Sequence, residues 1–187
     1  MKTRNIVIGS TVGATALLTA GALVYLNKRA LAPKGVEVVK DFRLKKYLGK
    51  WYEIARLDFR FEKGLNNTMA EYSLNEDGSV KVVNSGYNFR KHREEQSVGK
   101  AKFANTPEEG ALKVSFFGPL YSGYNIIALD KKYKYALVAG RNLNYLWILS
   151  REVTVPEDVK EEYLKIASDL GYKTEELTWV EHNHYIE

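Results

Sequence analysis

The chain contains no cysteine. That absence excludes disulfide bridges, thiolate metal sites, cysteine nucleophiles and a lipid-modified N-terminal cysteine. Histidine is scarce, with only His92, His182 and His184. His182 and His184 have no third ligand nearby in sequence, so no metal site is expected. No Gly-x-Ser-x-Gly elbow, phosphate-binding loop or paired-glycine dinucleotide turn occurs, which removes common hydrolase and nucleotide-binding signatures. No nucleophile or acid–base pair stands out, so no catalytic residue and no cofactor is assigned.

Excess charge is also missing from most of the chain. The net charge is +5, and Lys2, Arg4, Lys28, Arg29 and Lys34 supply all of it, with no acid among residues 1–34. Residues 35–187 balance the two signs. A phosphate-binding footprint belongs on the folded domain, so nucleic acid is not an expected partner.

What is present begins with Ile6 to Leu26, an uncharged and mostly apolar run. As a helix it would span roughly 30 Å, the thickness of a bilayer core. One reading is an uncleaved membrane anchor. The other is a signal peptide cleaved near Ala20-Gly21-Ala22. A soluble core helix fits poorly, because the run has no polar face. Lys28 and Arg29 follow directly, so flanking charge does not set the orientation. Either reading places the remainder outside the cytoplasmic membrane. The expected organisation is an anchor or signal segment plus linker over 1–34 and one folded domain over 35–187.

That domain reads as all-β. Strand-like segments occur at 50–59, 67–75, 79–88, 95–104, 111–117, 122–130, 134–140 and 145–151. Turn signals separate them, including Asn75-Glu76-Asp77-Gly78 and Gly118-Pro119. Leu112, Val114 and Phe116 alternate with Lys113 and Ser115, giving one apolar and one wet face. No helical crossover fits between the strands, so an eight-stranded up-and-down antiparallel barrel is expected. Thr154-Val155-Pro156-Glu157 has the form of a capping box. Val159, Tyr163, Ile166, Ala167 and Leu170 then recur at helical spacing up to Gly171. This predicts one C-terminal helix packed outside the barrel. Leu177, Trp179 and Val180 suggest a last short strand.

Three motifs in order carry a family resemblance. Tyr47-Leu48-Gly49-Lys50-Trp51-Tyr52-Glu53-Ile54-Ala55-Arg56 resembles the first motif of the lipocalins. Asp130 with Tyr135-Ala136-Leu137-Val138 resembles the second, and Leu146-Trp147-Ile148-Leu149-Ser150-Arg151 the third. Ala111 to Pro119 is similar to the bacterial, apolipoprotein D-like branch. Leu129 stands where a threonine usually precedes Asp130, and the lipoprotein cysteine of many bacterial relatives is missing. The latter departure favours the anchor helix.

The resemblance implies a barrel with Trp51 plugging the floor, Arg151 across it, and mouth loops at 59–66, 88–95, 117–122 and 141–145. Parity from Trp51 then puts Ala55, Leu57 and Phe59 on the inner wall. Tyr72, with Ala70 and Leu74, is expected inward on the second strand. Val82 and Asn84 follow on the third, Phe103 on the fourth, Val114 and Phe116 on the fifth, and Trp147 on the eighth. Leu137 and Ala139 are weaker candidates. Tyr121 is expected in a mouth loop, where it could meet a polar head group, and Arg60, Lys63 and Arg90 could attract an anionic one. Glu53 is inward near the floor, with a hydrogen-bonded structural role.

The implied function is binding, storage or transport of small hydrophobic ligands, fatty acids or lysophospholipids, at the cell envelope, with residues 6–26 contacting the membrane. Two alternatives stand: a membrane-anchored docking protein with an incidental cavity, and a lipocalin-fold enzyme acting on a bound lipid.

Overall fold

The computed structural model describes residues 31–57 and 64–182. The expected anchor at 6–26 lies outside these residues, as do Phe59, Arg60, Lys63 and His184. No helix among the described residues is long and apolar enough to cross a membrane.

Hydrophobic alternation and short turns produce eight antiparallel strands in sequence order. They are β1 (Gly49–Leu57), β2 (Leu65–Leu74), β3 (Val80–Asn88), β4 (Arg93–Phe103), β5 (Ala111–Phe117), β6 (Leu120–Leu129), β7 (Tyr135–Ala139) and β8 (Leu146–Ser150). β1 closes the barrel by pairing with both β8 and β2. Beyond Tyr52, β9 (Leu177–Trp179) pairs with Ala55–Leu57 of β1, so the barrel's seam gains a ninth strand. The weak C-terminal alternation is therefore a real strand.

A short helical turn, α1 (Leu44–Tyr47), lies under the barrel, an element the strand pattern does not signal. The longer helix, α2 (Glu157–Asp169), follows β8. Tyr163 and Ala167 are buried in a cluster with Ile54, Ala55, Leu137, Ala139, Leu146 and Ile148, between helix and outer wall. The helical stripe therefore faces the barrel, as its spacing implied. Gly171 has φ +88° and ends the helix, a conformation that favours glycine. The capping box does not form. Pro156 is the N-cap and no side chain caps the helix, because proline takes the capping position one residue before Glu157 and has no side-chain acceptor.

A second cluster fills the barrel's lower half, around Phe42, Tyr47, Trp51, Tyr72, Val80, Val82, Ala136, Val138 and Leu149. The two clusters separate the faces of β7: Ala136 and Val138 point inward, whereas Leu137 and Ala139 point toward the helix side. The weaker expectation for Leu137 and Ala139 is thus reversed. Leu74 is exposed at the end of β2 rather than inward.

Candidate functional site

The floor is built first by geometry at Gly49, whose φ of +91° suits glycine alone at that turn into β1. Trp51 follows, wholly buried. Its indole Nε1 donates to the Tyr47 carbonyl at 2.8 Å. The Arg151 guanidinium carbon lies 3.9 Å from the Trp51 ring centroid, an arrangement with cation–π attraction. Arg151 also donates through Nη1 to Lys50 O at 2.6 Å and through Nε to Tyr133 O at 3.2 Å. Its Nη2 reaches the carbonyls of Lys46, Tyr47 and Leu48. One planar fork thereby ties α1, β1 and the β6–β7 turn together beneath the barrel.

Asp130 fixes that turn. Its carboxylate accepts the backbone N–H groups of Lys132, Lys134 and Tyr135.

Above the floor lies a cavity of about 730 Å³, within the usual range for small-molecule sites. Tyr72, Val82, Asn84, Val114, Phe116 and Trp147 line it, each as expected from sequence. Ala70, Ala101, Leu112 and Leu149 add apolar wall. The cavity runs toward the end where Phe117 and Leu120 flank the β5–β6 turn.

Other expected wall residues are placed elsewhere. Ala55 and Leu57 are buried, but in the outer cluster against α2. The cause is a β-bulge: the register with β8 runs Glu53↔Leu149, then Ala55↔Ile148 and Arg56↔Trp147. Ile54 is the extra residue, so side-chain parity inverts after it. Arg56, not Ala55, then faces inward beside Trp147. Phe103 keeps its inward parity but sits below the cavity, its ring centroid 6.4 Å from that of Phe42. Tyr121 belongs to β6 and points outward, with Lys113 Nζ 5.6 Å from its ring centroid. Leu120, Ser122 and Tyr124 take the inward positions of that strand. Arg90 lies exposed in the β3–β4 turn.

The bulge also creates a buried ion pair. Arg56 is 1% exposed and its Nη1 lies 2.6 Å from Glu53 Oε1. Thr68 Oγ1 donates to the same oxygen at 3.1 Å, and Arg56 Nη2 donates to the Leu65 carbonyl. Burial pushes the Glu53 carboxyl above its ordinary value, and Arg56 and Thr68 pull it back only in part. Glu53 therefore has the hydrogen-bonded surroundings foreseen for it. His182 is engaged outside, its Nε2 2.7 Å from the Glu53 carbonyl oxygen.

A polar feature missed from sequence occupies the cavity's lower wall. The Tyr47 and Tyr124 hydroxyls are 2.7 Å apart, and those of Tyr72 and Tyr124 are 2.8 Å apart. Burial holds all three phenols well above the ordinary tyrosine range, so they stay protonated. In the sequence Tyr47 belongs to the first motif, and nothing there marks its hydroxyl. Tyr124 was hidden because β6 alternates aromatic and small residues on both faces.

The lipocalin-like domain model matches residues 42–182, which span the floor, every strand and α2. The chain belongs to the lipocalin family. It is 50% identical over 166 residues to the outer membrane lipoprotein Blc of Escherichia coli strain K12, covering 89% of this chain and 94% of that one. Apolipoprotein D of Rattus norvegicus is 37% identical over 149 residues, with 75% of each chain covered. This lipocalin also superposes on insecticyanin from the tobacco hornworm Manduca sexta, with a TM-score of 0.67 at 22% identity over 81% of this chain and 87% of that one. That last likeness concerns the fold alone.

Proposed function

We propose that this lipocalin binds an acyl lipid, a fatty acid or lysophospholipid, in its barrel and stores it or hands it on at the cell envelope without chemistry. The observation that carries this reading is the cavity itself, its wall mostly apolar and aromatic and its floor sealed by Trp51. Burying methylenes there contributes about 0.8 kcal/mol each, so an acyl chain needs few polar contacts. Arg93 lines the outer part of the cavity, where a charged head group would lie near water. Of the acids lining the cavity, Glu53 is committed to Arg56 and Thr68 and Glu95 to Asn88, Lys91 and Arg93, and no histidine lines it among the described residues, which argues against an enzyme.

Relatives at 50% identity carry the name outer membrane lipoprotein. This chain has no cysteine to carry a lipid, so residues 6–26 take over the anchoring in our reading, with the barrel outside the cytoplasmic membrane. A docking role has one observation in its favour. Phe89, Phe117, Leu120 and Leu143 are exposed at turns around the mouth, which suits contact with a membrane surface.

The test is mass spectrometry of lipid retained by the purified full chain, alongside Trp147→Ala. Stoichiometric acyl lipid in the wild type and less in the variant is the expected result. A wild-type barrel that retains none, and takes up neither fatty acid nor lysophospholipid in titration, would leave docking as the better reading.

A further inference from the structure

Three phenols share two hydrogen bonds. Tyr124 Oη lies between Tyr47 Oη and Tyr72 Oη, at 2.7 and 2.8 Å. Each phenol has one proton to give. Two O···O contacts consume two protons, so one O–H of the array has no acceptor among the described side chains. This holds whichever way the bonds run. If Tyr47 donates to Tyr124 and Tyr124 to Tyr72, the Tyr72 proton is surplus; if both outer phenols donate inward, the Tyr124 proton is. All three residues line the cavity, and Tyr47 is 1% exposed and Tyr72 7%. The surplus donor therefore faces the ligand space.

Its surroundings determine which acceptor suits it. A carboxylate placed there would lose its hydration and need a cation. The cations nearby are already engaged: Arg56 with Glu53 and the Leu65 carbonyl, and Arg151 with backbone carbonyls under Trp51. Glu53, on the same cavity wall, adds a carboxyl of its own. An uncharged oxygen meets the donor without these costs.

We propose that the Tyr47–Tyr124–Tyr72 array is a hydrogen-bond-donating subsite that selects, among acyl ligands, those carrying an uncharged oxygen, a ketone or hydroxyl, on the buried stretch of the chain. The inference rests on the acyl-lipid reading and adds to it a preference for oxygenated chains. A plain hydrocarbon chain leaves the surplus proton to water or unpaired, whereas an in-chain oxygen accepts it.

The experiment compares stearic acid with oxo-stearic acids whose ketone is moved stepwise along the chain. Titrations use the full chain held in amphipol. The expected result is about a three- to tenfold tighter binding for some ketone positions and not others. The triple variant Tyr47→Phe, Tyr72→Phe, Tyr124→Phe should lose that preference, each ketone's affinity being taken relative to stearic acid in the same variant. Tyr124→Phe alone should retain it, because Tyr47 and Tyr72 then each keep a proton without an acceptor. Equal affinity for every ketone position in the wild type, or a preference surviving in the triple variant, overturns the subsite. Should the triple variant not fold, the infrared carbonyl stretch of the wild-type complex decides. A shift to lower frequency than in hydrocarbon solvent supports the hydrogen bond, and no shift refutes it. Stearic acid binding without a ketone preference defeats only this inference. Failure to bind stearic acid or any of its ketones defeats the acyl-lipid reading as well, and the subsite falls with it.

Discussion

Arg151 shows how much of the barrel's closure depends on the shape of one side chain. Its guanidinium spreads over the Trp51 ring and reaches carbonyls on α1, β1 and the β6–β7 turn. Lysine keeps the charge but offers a point donor in place of a planar fork. Arg151→Lys should therefore leave several carbonyls poorly satisfied and cost about 2–3 kcal/mol. At about 2–4 °C per kcal/mol for a chain of this size, the thermal midpoint should fall by roughly 5–10 °C. Trp51→Ala should cost more, about 3–5 kcal/mol, since it empties the floor itself. A calorimetric midpoint unchanged in either variant would mean that the floor does not hold the barrel together. This residue pair was legible in the sequence, because Gly-x-Trp and the terminal Arg mark fixed positions at opposite ends of the strand series.

At the scale of elements, strand order and pairing were legible while one strand's inner face was not. β5 shows strict alternation, so Val114 and Phe116 were placed correctly. β1 has apolar residues on both faces, with α2 covering the outside, and alternation then carries no information about parity. The bulge at Ile54 sits in that blind stretch and exchanges Ala55 for Arg56 at the inner position. Two adjacent apolar residues before a basic one are compatible with either register. The exchange has a testable consequence. Arg56 is the main group drawing the Glu53 carboxyl back down after burial has raised it. Arg56→Met leaves that carboxyl buried without its cation, which costs about 3–5 kcal/mol when ionised. With the folded pKa raised further above the ordinary 4.5, the folded state holds the proton more tightly than the unfolded one. The variant's stability is therefore best retained below pH 4.5 and lost as pH rises through the folded-state pKa. Urea midpoints measured from acid to neutral pH should fall more steeply with pH in Arg56→Met than in wild type. Restoration by adding Glu53→Gln would confirm the carboxyl as the cause; parallel pH profiles would exclude it.

For the whole molecule, the path of the leading segment bears on how the proposed anchor would orient the barrel. Phe42 N–H bonds to Glu108 O beside the base, and Val39 N–H bonds to Ile126 O higher on β6. Leu31 O then accepts from Asn125 Nδ2 and lies against Gly123, where any Cβ would collide with it. Read from Phe42 back to Leu31, the chain thus climbs the outer wall from the base toward the mouth. From Leu26 to Leu31 the chain can span at most about 18 Å, so the anchor proposed at 6–26 would hold the mouth half of the barrel close to the bilayer. The most exposed apolar side chains at that end are Phe117 and Leu120, at 70% and 66%. A lipid could then pass between bilayer and cavity with little apolar surface crossing water. Placing the full chain in vesicles with brominated acyl chains tests this orientation. Added tryptophan emission in Phe117→Trp should be quenched, whereas that in Leu74→Trp, at the base end, should not. Equal quenching at both ends would mean the barrel lies on its side, and quenching at Leu74→Trp alone would point the mouth away from the membrane and make direct hand-off from the bilayer untenable.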